Sequence, residues 1–363
     1  MEEISVVTML DCIKRTPQRL EWLLDNWEEL SGECFRTIEK ELDAVNQIIF
    51  VGSGTSNTAA VTSRIVVERL SRLSCRTITP GEFMNSTWVY PEHALYVFTS
   101  QTGTSKVSRQ AQQLVREKGW LAVSITESEE TPLAREAGLH LNMGCGYEEH
   151  PMRTIGYSCS VLVHMLLGAK LGLCRKVISE AEYQAFLADA RLAAQNQSYV
   201  IEAATQWMDR AKYSMLRAEC IIFTGADVLY GVSLEGAMKV WETPRIPCFG
   251  YELEEGMHGP NYGYNSRHCV VGLNHGGGED AKMSSLIRYM KEVHGSGLMA
   301  GSSVIDNHDL KLEIKSTLCC ALEFAPVVQT IAYHLAMDIG RDMSLPHDNS
   351  RMDRYFVTHS EPV

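Results

Sequence analysis

Glu235, Lys239 and Glu242 stand in the run Leu234-Glu235-Gly236-Ala237-Met238-Lys239-Val240-Trp241-Glu242. The run reads as a helix, and the i, i+4, i+7 spacing puts the three charges on one face. Such a row is either a salt-bridge ladder on the surface or a carboxylate held for proton transfer; spacing alone does not choose. Sixteen residues past Glu242, His258 lies in Glu254-Glu255-Gly256-Met257-His258-Gly259-Pro260, where glycine and proline predict a loop. A carboxylate with a histidine suits the movement of a sugar carbonyl between C1 and C2. A base takes a carbon-bound proton and returns it next door, and a second group exchanges a proton with the ring oxygen when the ring opens. Partial burial of the carboxylate raises its pKa toward the working range, and a positioned acid–base group typically contributes ~10²–10⁴-fold.

A second set of chemistry-bearing residues is rich in hydroxyls. Gly52-Ser53-Gly54-Thr55-Ser56 follows the apolar run Gln47–Val51, and Ser100-Gln101-Thr102-Gly103-Thr104-Ser105 follows Leu95–Thr99. Each turn stands between an expected buried strand and an expected helix. In open α/β sheets ligands bind there, and the helix's first amides face an anion. Neutral hydroxyl and amide donors around a helix start suit a phosphate monoester. The pattern GxxxxGK[ST] of a nucleotide P-loop is absent, and Asn57 occupies the third glycine position of a dinucleotide loop. One such turn is explained by helix capping; two after successive strands point to ligand binding.

These residues need elements to hold them. Residues 9 to 31 read as a helix, with Thr16-Pro17 marking a start or a kink between two short helices. Buried strands at 47–51, 95–99 and 121–125 alternate with helices at 58–71 and up to about 118, which predicts a parallel sheet covered on both faces. An apolar helix near Thr154–Leu171 closes this unit, and 179–212 reads as connecting helices. A second unit begins at Cys220-Ile221-Ile222-Phe223-Thr224. Ile48-Ile49-Phe50-Val51-Gly52 recurs as Ile221-Ile222-Phe223-Thr224-Gly225, an offset of 173 residues, and at the same offset Gly103 falls on Gly276. Two loops in register suggest a duplicated domain.

The chain has 363 residues, enough for about two domains at ~150 residues each. Its formal net charge of −12 opposes broad nucleic-acid binding. Eleven cysteines, an odd number with no CxxC pair, suit buried thiols in a reducing cytoplasm. No His, Cys and carboxylate spacing resembles a metal site, and no cofactor is expected. The acidic N-terminus lacks the pattern of a signal peptide, and no run approaches the ~20 apolar residues of a membrane helix.

Gly54-Thr55-Ser56 and Ser100–Ser105 resemble the phosphate-binding motifs of the sugar isomerase (SIS) domain family. Pro80-Gly81-Glu82-Phe83 lies between them, where the family often carries a Glu-Phe element. The Glu235–Glu242 row followed by His258-Gly259-Pro260 resembles the isomerase half of glucosamine-6-phosphate synthase. The resemblance spans nearly the whole chain. It implies two tandem SIS domains, each a five-stranded parallel flavodoxin-like sheet flanked by helices: residues 34–175 and 200–345, with an N-terminal helical segment at 1–33 and a tail at 346–363 near the active site. It implies phosphate contacts from Ser56, Ser100, Gln101, Thr102 and Ser105, with Gly54 and Thr55 also among the substrate-binding residues. Glu242 would shuttle the proton, His258 assist ring opening, Glu235 support acid–base chemistry and Lys239 order the carboxylates. It also implies a homodimer with shared active sites. Thr102 and Thr104 stand where relatives often have Ser and Glu.

Two departures shape the functional expectation. The short helical segment ahead of the first unit leads one to expect no glutaminase domain, and Pro346-His347-Asp348-Asn349-Ser350-Arg351 carries Arg351 where the synthase has a lysine. Arginine stays protonated and forms no Schiff base. Asp348–Tyr355 resembles the tail of ketosamine-6-phosphate deglycases, which makes Arg351 a candidate substrate contact. The expectation is a cytoplasmic enzyme acting on a sugar phosphate by C1/C2 proton transfer, a ketosamine-6-phosphate deglycase or aldose–ketose isomerase. An aminosugar-phosphate deaminase and a non-catalytic phosphosugar-binding regulator are the alternatives. Glu148 and Glu255 are further acidic candidates. Arg153 and Thr154 are either substrate contacts or helix caps.

Overall fold

The computed structural model describes residues 7–86, 90–343 and 351–360. Elements follow in chain order: α1 (Met9–Glu41), β1 (Gln47–Val51), α2 (Thr55–Ser71), β2 (Ser74–Ile78), α3 (Pro80–Asn85), β3 (Ala94–Thr99), α4 (Lys106–Glu117), β4 (Ala122–Thr126), α5 (Pro132–Glu136), β5 (His140–Asn142), α6 (Ile155–Cys174) and α7 (Glu180–Leu216). Then come β6 (Cys220–Gly225), α8 (Val228–Glu242), β7 (Cys248–Glu252), α9 (Leu253–Gly256), β8 (His268–Asn274), α10 (Asp280–His294), β9 (Leu298–Gly301), β10 (Leu310–Lys311) and α11 (Cys320–Asp338). The chain divides into two compact units. One holds Gln18–Ala188 with Pro346–Val363, the other Met1–Pro17 with Asp189–Leu345.

Each unit has one five-stranded parallel sheet. The first runs β2-β1-β3-β4-β5 and the second β7-β6-β8-β9-β10, which is the same order, 2-1-3-4-5, used twice. Ile48–Val51 and Leu95–Phe98 in the first sheet are buried on both faces, as the apolar runs predict. Pairing of Gln47 with Ala94 and of Cys220 with His268 sets both central strands in register. In both units the polarity of the order reverses at the first strand, and the loops after β1 and β3, and after β6 and β8, flank that switch point.

The repeat extends to backbone angles. Gly54, ahead of α2, has φ 58° and ψ −133°; Asp227, 173 residues later and ahead of α8, has φ 56° and ψ −131°. Gly103 and Gly276, the other pair at that offset, both lie at positive φ. Gly103 has a second reason to be glycine, since a Cβ there would stand 2.6 Å from Cβ of Thr131.

Three readings from sequence change. The helix expected to start or kink at Thr16-Pro17 runs unbroken from Met9 to Glu41 with Pro17 inside it. Pro17 is buried and the Thr16 hydroxyl donates to the Cys12 carbonyl (3.1 Å), so packing outweighs the ~3 kcal/mol helix cost of proline. Residues 180–216 form one long helix rather than several. And α6 is long and apolar enough to cross a membrane by length and composition, contrary to expectation. Its apolarity answers to burial on all sides, since nearly every residue from Ile155 to Ala169 is inside the first unit. All eleven cysteines are free thiols, ten of them buried.

Candidate functional site

The first unit builds its loops on strand ends. At the end of β1, the Ser56 amide donates to the Ser53 carbonyl (3.1 Å) and the Asn57 amide to Gly54 (2.9 Å), folding Gly52–Ser56 into a tight turn under the start of α2. Thr55 and Ser56 are half-buried at that helix start, and Ser53 is exposed. After β3, Ser100 accepts the Gly103 amide (3.1 Å), and the Gly103 carbonyl accepts the Leu133 amide (3.1 Å), pinning the second loop to α5. Thr102 and Thr104 hydroxyls share a hydrogen bond (2.9 Å), and Ser108 donates to Ser105 (3.0 Å). Both loops occupy the carboxyl edge of one sheet, at the switch point between β1 and β3.

Gln101 is held by Glu148 and Glu127. Its amide nitrogen donates to the Glu148 carboxylate (3.3 Å), and its backbone carbonyl accepts the Glu127 amide (2.9 Å). Glu148 is buried and accepts the amides of Thr154 (2.6 Å), Ile155 (3.0 Å) and Gly156 (3.1 Å) and the Thr154 hydroxyl (2.9 Å). It therefore caps α6, where a carboxylate is favoured by the unpaired amides and helix dipole. Arg153 donates to the carbonyls of Glu148 and His150. Of the two readings for Arg153 and Thr154, Thr154 takes the N-cap position of α6, whereas Arg153 braces the loop before it; Glu148, expected as a further acidic site residue, is the side chain that caps the helix. Glu127 was not singled out from sequence, although it directly follows β4 at the sheet edge where ligands bind. Burial holds its carboxyl above the usual range, with Glu148 adding to the shift, against the opposing pull of Gln101 and Arg153.

The C-terminal tail lies on the second loop. His359 Nδ1 and the Thr104 hydroxyl are 2.8 Å apart, the Lys106 amide donates to the Thr358 carbonyl (3.1 Å), and the Ser360 amide donates to Thr104 (2.9 Å). Arg109 adds a bond to the Ser360 hydroxyl (2.9 Å). Thr104, where relatives often carry Glu, is thus the tail's anchor. Arg351 is exposed on a turn covering residues 351–355; residues 346–350 of the motif read with it lie outside the described residues.

In the second unit, the charged row on α8 is not a surface ladder. Glu235 and Lys239 are 0% and 1% exposed at their side chains, while Glu242 at the helix end is 33% exposed. Lys239 Nζ lies 2.7 Å from Glu242 and 3.4 Å from Glu235. A buried lysine between two carboxylates is a poor source of stability, since desolvation offsets most of the attraction. What it does is fix the Glu242 carboxylate at an edge that solutes can reach. Helix α8 packs on α11, and Val232, Ala237 and Val240 are among its buried apolar residues. His258 stands in the loop after α9, 67% exposed, with Nδ1 2.8 Å from the Glu254 carbonyl. Glu255 is also exposed, its amide donating to Glu252 (3.0 Å). The structure thus joins Glu235, Lys239 and Glu242 into one group and leaves His258 on an exposed loop.

Comparison with known proteins agrees with this architecture. Residues 41–168 match the family model of the SIS domain. The glutamine–fructose-6-phosphate aminotransferase (isomerizing) of Campylobacter jejuni is 23% identical over 334 residues, covering 89% of this chain and 52% of that protein. The Helicobacter pylori enzyme of the same name is 24% identical, covering 91% of this chain and 55% of its own length. The chain thus spans about half the length of these relatives. Among solved structures, a provisional phosphosugar isomerase of Clostridium difficile 630 superposes with a TM-score of 0.87 at 27% identity, over 96% of this chain and 98% of its own. The C-terminal domain of the Francisella tularensis glucosamine-fructose-6-phosphate aminotransferase shares the fold, with a TM-score of 0.81 at 17% identity over 93% and 97% of the two chains. The similarity to the SIS domain model thus covers part of this chain, residues 41–168.

Proposed function

We propose that the chain is an enzyme acting on a 6-phosphorylated ketosugar or ketosamine by proton transfer between C1 and C2. The observation that carries the reading is the Lys239–Glu242 pair: a carboxylate held at 2.7 Å by a buried ammonium yet one-third exposed. The names of the relatives, fructose-6-phosphate aminotransferase and phosphosugar isomerase, support the substrate class. The hydroxyl-lined loops of the first unit supply the donors a phosphate monoester needs: Thr55, Ser56, Ser100, Gln101, Thr102 and Ser105, with Gly54 letting the backbone approach.

In this reading Glu242 takes the C1 proton of an open-chain ketosamine while the C2 oxygen gains a proton, giving an enaminol. The proton returns at C2 and leaves a C1=N imine. Water adds at C1, and the amine departs, leaving an aldose 6-phosphate. His258 exchanges a proton with the ring oxygen or the leaving amine, in the same chain or from a second subunit of a homodimer. Glu235 and Lys239 position Glu242. Arg351 contributes a cation to the bound sugar. Aldose–ketose isomerisation and aminosugar-phosphate deamination need the same proton transfer and are the neighbouring reactions. The chain is assigned to the cytoplasm, where its eleven thiols stay reduced.

The test is Glu242→Gln with a set of 6-phosphoketosamines and ketose 6-phosphates, following released amine and aldose 6-phosphate. Turnover is expected to fall by at least about 10²-fold while sugar-phosphate affinity changes little. Turnover unaffected by the substitution would overturn the assignment and leave phosphosugar binding without catalysis.

A further inference from the structure

In the Ser100–Ser105 loop, the Gln101 side chain is already engaged by the protein itself. Its carboxamide nitrogen donates to Glu148 Oε2 (3.3 Å), and the same oxygen accepts the Gly156 amide (3.1 Å) in the first turn of α6. The carboxamide also fills the space beside Gly156. A Cβ built on that glycine would stand 1.7 Å from Gln101 Oε1, 2.6 Å from the carboxamide carbon and 3.2 Å from Nε2, and these are its three nearest atoms. Gly156 does not lie at positive φ, so its backbone does not require glycine. Inside a helix glycine is less favourable than alanine. What excludes a side chain at 156 is Gln101.

Glu148 completes a clamp. It is 1% exposed, and its Oε1 accepts the amides of Thr154 (2.6 Å) and Ile155 (3.0 Å), so α6 itself fixes the carboxylate. The far side of the loop is pinned independently, since the Gly103 carbonyl accepts the Leu133 amide (3.1 Å). Ser100 and Thr102 flank the clamped residue, and their hydroxyls have little room to drift. By charge alone Glu148 is misplaced: a buried carboxylate one side chain away from a loop that suits an anion weakens anion binding. Its geometric role accounts for it. Donors held in place before the ligand arrives bind it more tightly than donors that must first be ordered.

We infer that Glu148 and Gly156 are positioning residues for sugar-phosphate binding. They hold the Gln101 carboxamide against the start of α6, and through it they set the Ser100 and Thr102 hydroxyls at the spacing a phosphate needs. Gln101 then serves the ligand through its backbone and its grip on α6. The inference rests on the assignment of this loop to the phosphate in the proposed function.

Isothermal titration of the full chain with fructose 6-phosphate, with fructose as the control, tests this together with the thermal midpoint. Gly156→Ala displaces the carboxamide without altering a polar group. It is expected to weaken fructose 6-phosphate about tenfold and to lower the midpoint. With Gln101→Ala already in place, Gly156→Ala is expected to change affinity less than about twofold and to raise the midpoint, because alanine is then the better helix residue. Glu148→Gln separates grip from charge. Loss of a negative charge near a dianion would tighten binding, whereas loss of the grip weakens it, here by an expected fivefold or about that. The inference is overturned if Gly156→Ala weakens affinity equally in both backgrounds, which marks a general disturbance of α6. It is also overturned if Glu148→Gln binds fructose 6-phosphate as tightly as wild type or more tightly. A wild type that binds fructose 6-phosphate no better than fructose would overturn the phosphate assignment of the loop, and the positioning role with it; the reversal of the midpoint shift would then still decide whether Gly156 holds Gln101.

Discussion

His359 Nδ1 lies 2.8 Å from the hydroxyl of Thr104, 255 residues earlier in the chain. With the Lys106–Thr358 and Ser360–Thr104 backbone bonds, it straps the tail across the loop whose hydroxyls are assigned to phosphate. His359→Ala removes one partly buried hydrogen bond, which is worth about 1 kcal/mol. Amide exchange at residues 358–360 is expected to speed up about fivefold, and KM for the sugar phosphate to rise while kcat changes less. Unchanged exchange would show that the backbone bonds alone hold the strap.

The Ser100–Ser105 loop is expected to act through binding. Ser100→Ala and Gln101→Ala each remove a donor, and a hydrogen bond to a charged group contributes about 1.5–3 kcal/mol. Each variant is therefore expected to weaken sugar-phosphate binding about tenfold or more. The unphosphorylated sugar should lose little. Equal losses for both sugars would mean that the loop does not contact the phosphate.

Lys239 is the buried partner of two carboxylates, so its removal strands charge. Lys239→Met is expected to destabilise the chain by about 3–5 kcal/mol, because Glu235 at 0% exposure would keep a buried carboxylate that has lost the ammonium 3.4 Å away. Adding Glu235→Gln should restore a large part of that loss, a coupling that a double-mutant cycle in denaturant measures. Additive losses would show that the two side chains do not share one electrostatic site.

Acid sensitivity should come from buried imidazoles in the first unit. His164 is held between Ser63 (3.2 Å) and Thr99 (2.8 Å), and burial lowers its pKa from 6.5 to about 3. Burial lowers His140 from 6.5 to about 4. The folded state keeps both rings neutral while the unfolded chain protonates near pH 6.5. Their contribution to stability is therefore complete above about pH 6.5 and is lost as pH falls from there toward 4 and 3. The expected slope is up to ~1.4 kcal/mol per pH unit for each ring in that window. His164→Gln should flatten the decline between pH 6 and 4; an unchanged slope would assign acid sensitivity to other groups.

The amino-acid order alone specified a good deal here. Apolar β-branched runs such as Ile48–Val51 and Cys220–Thr224, each followed by a glycine turn and a helix, encode the doubly wound sheets because those signals are local. The 173-residue offset carried the duplication, and the i, i+4, i+7 spacing placed Glu235, Lys239 and Glu242 on one face. Burial was beyond its reach. Spacing is identical for a solvated ladder and an enclosed ion pair, and only the packing of α8 on its neighbours puts Lys239 at 1% exposure. The same holds for Glu148 capping α6 and for His359 on Thr104. Each depends on which distant atoms arrive within about 3 Å, the range over which a hydrogen bond forms, and no local pattern in the chain records that.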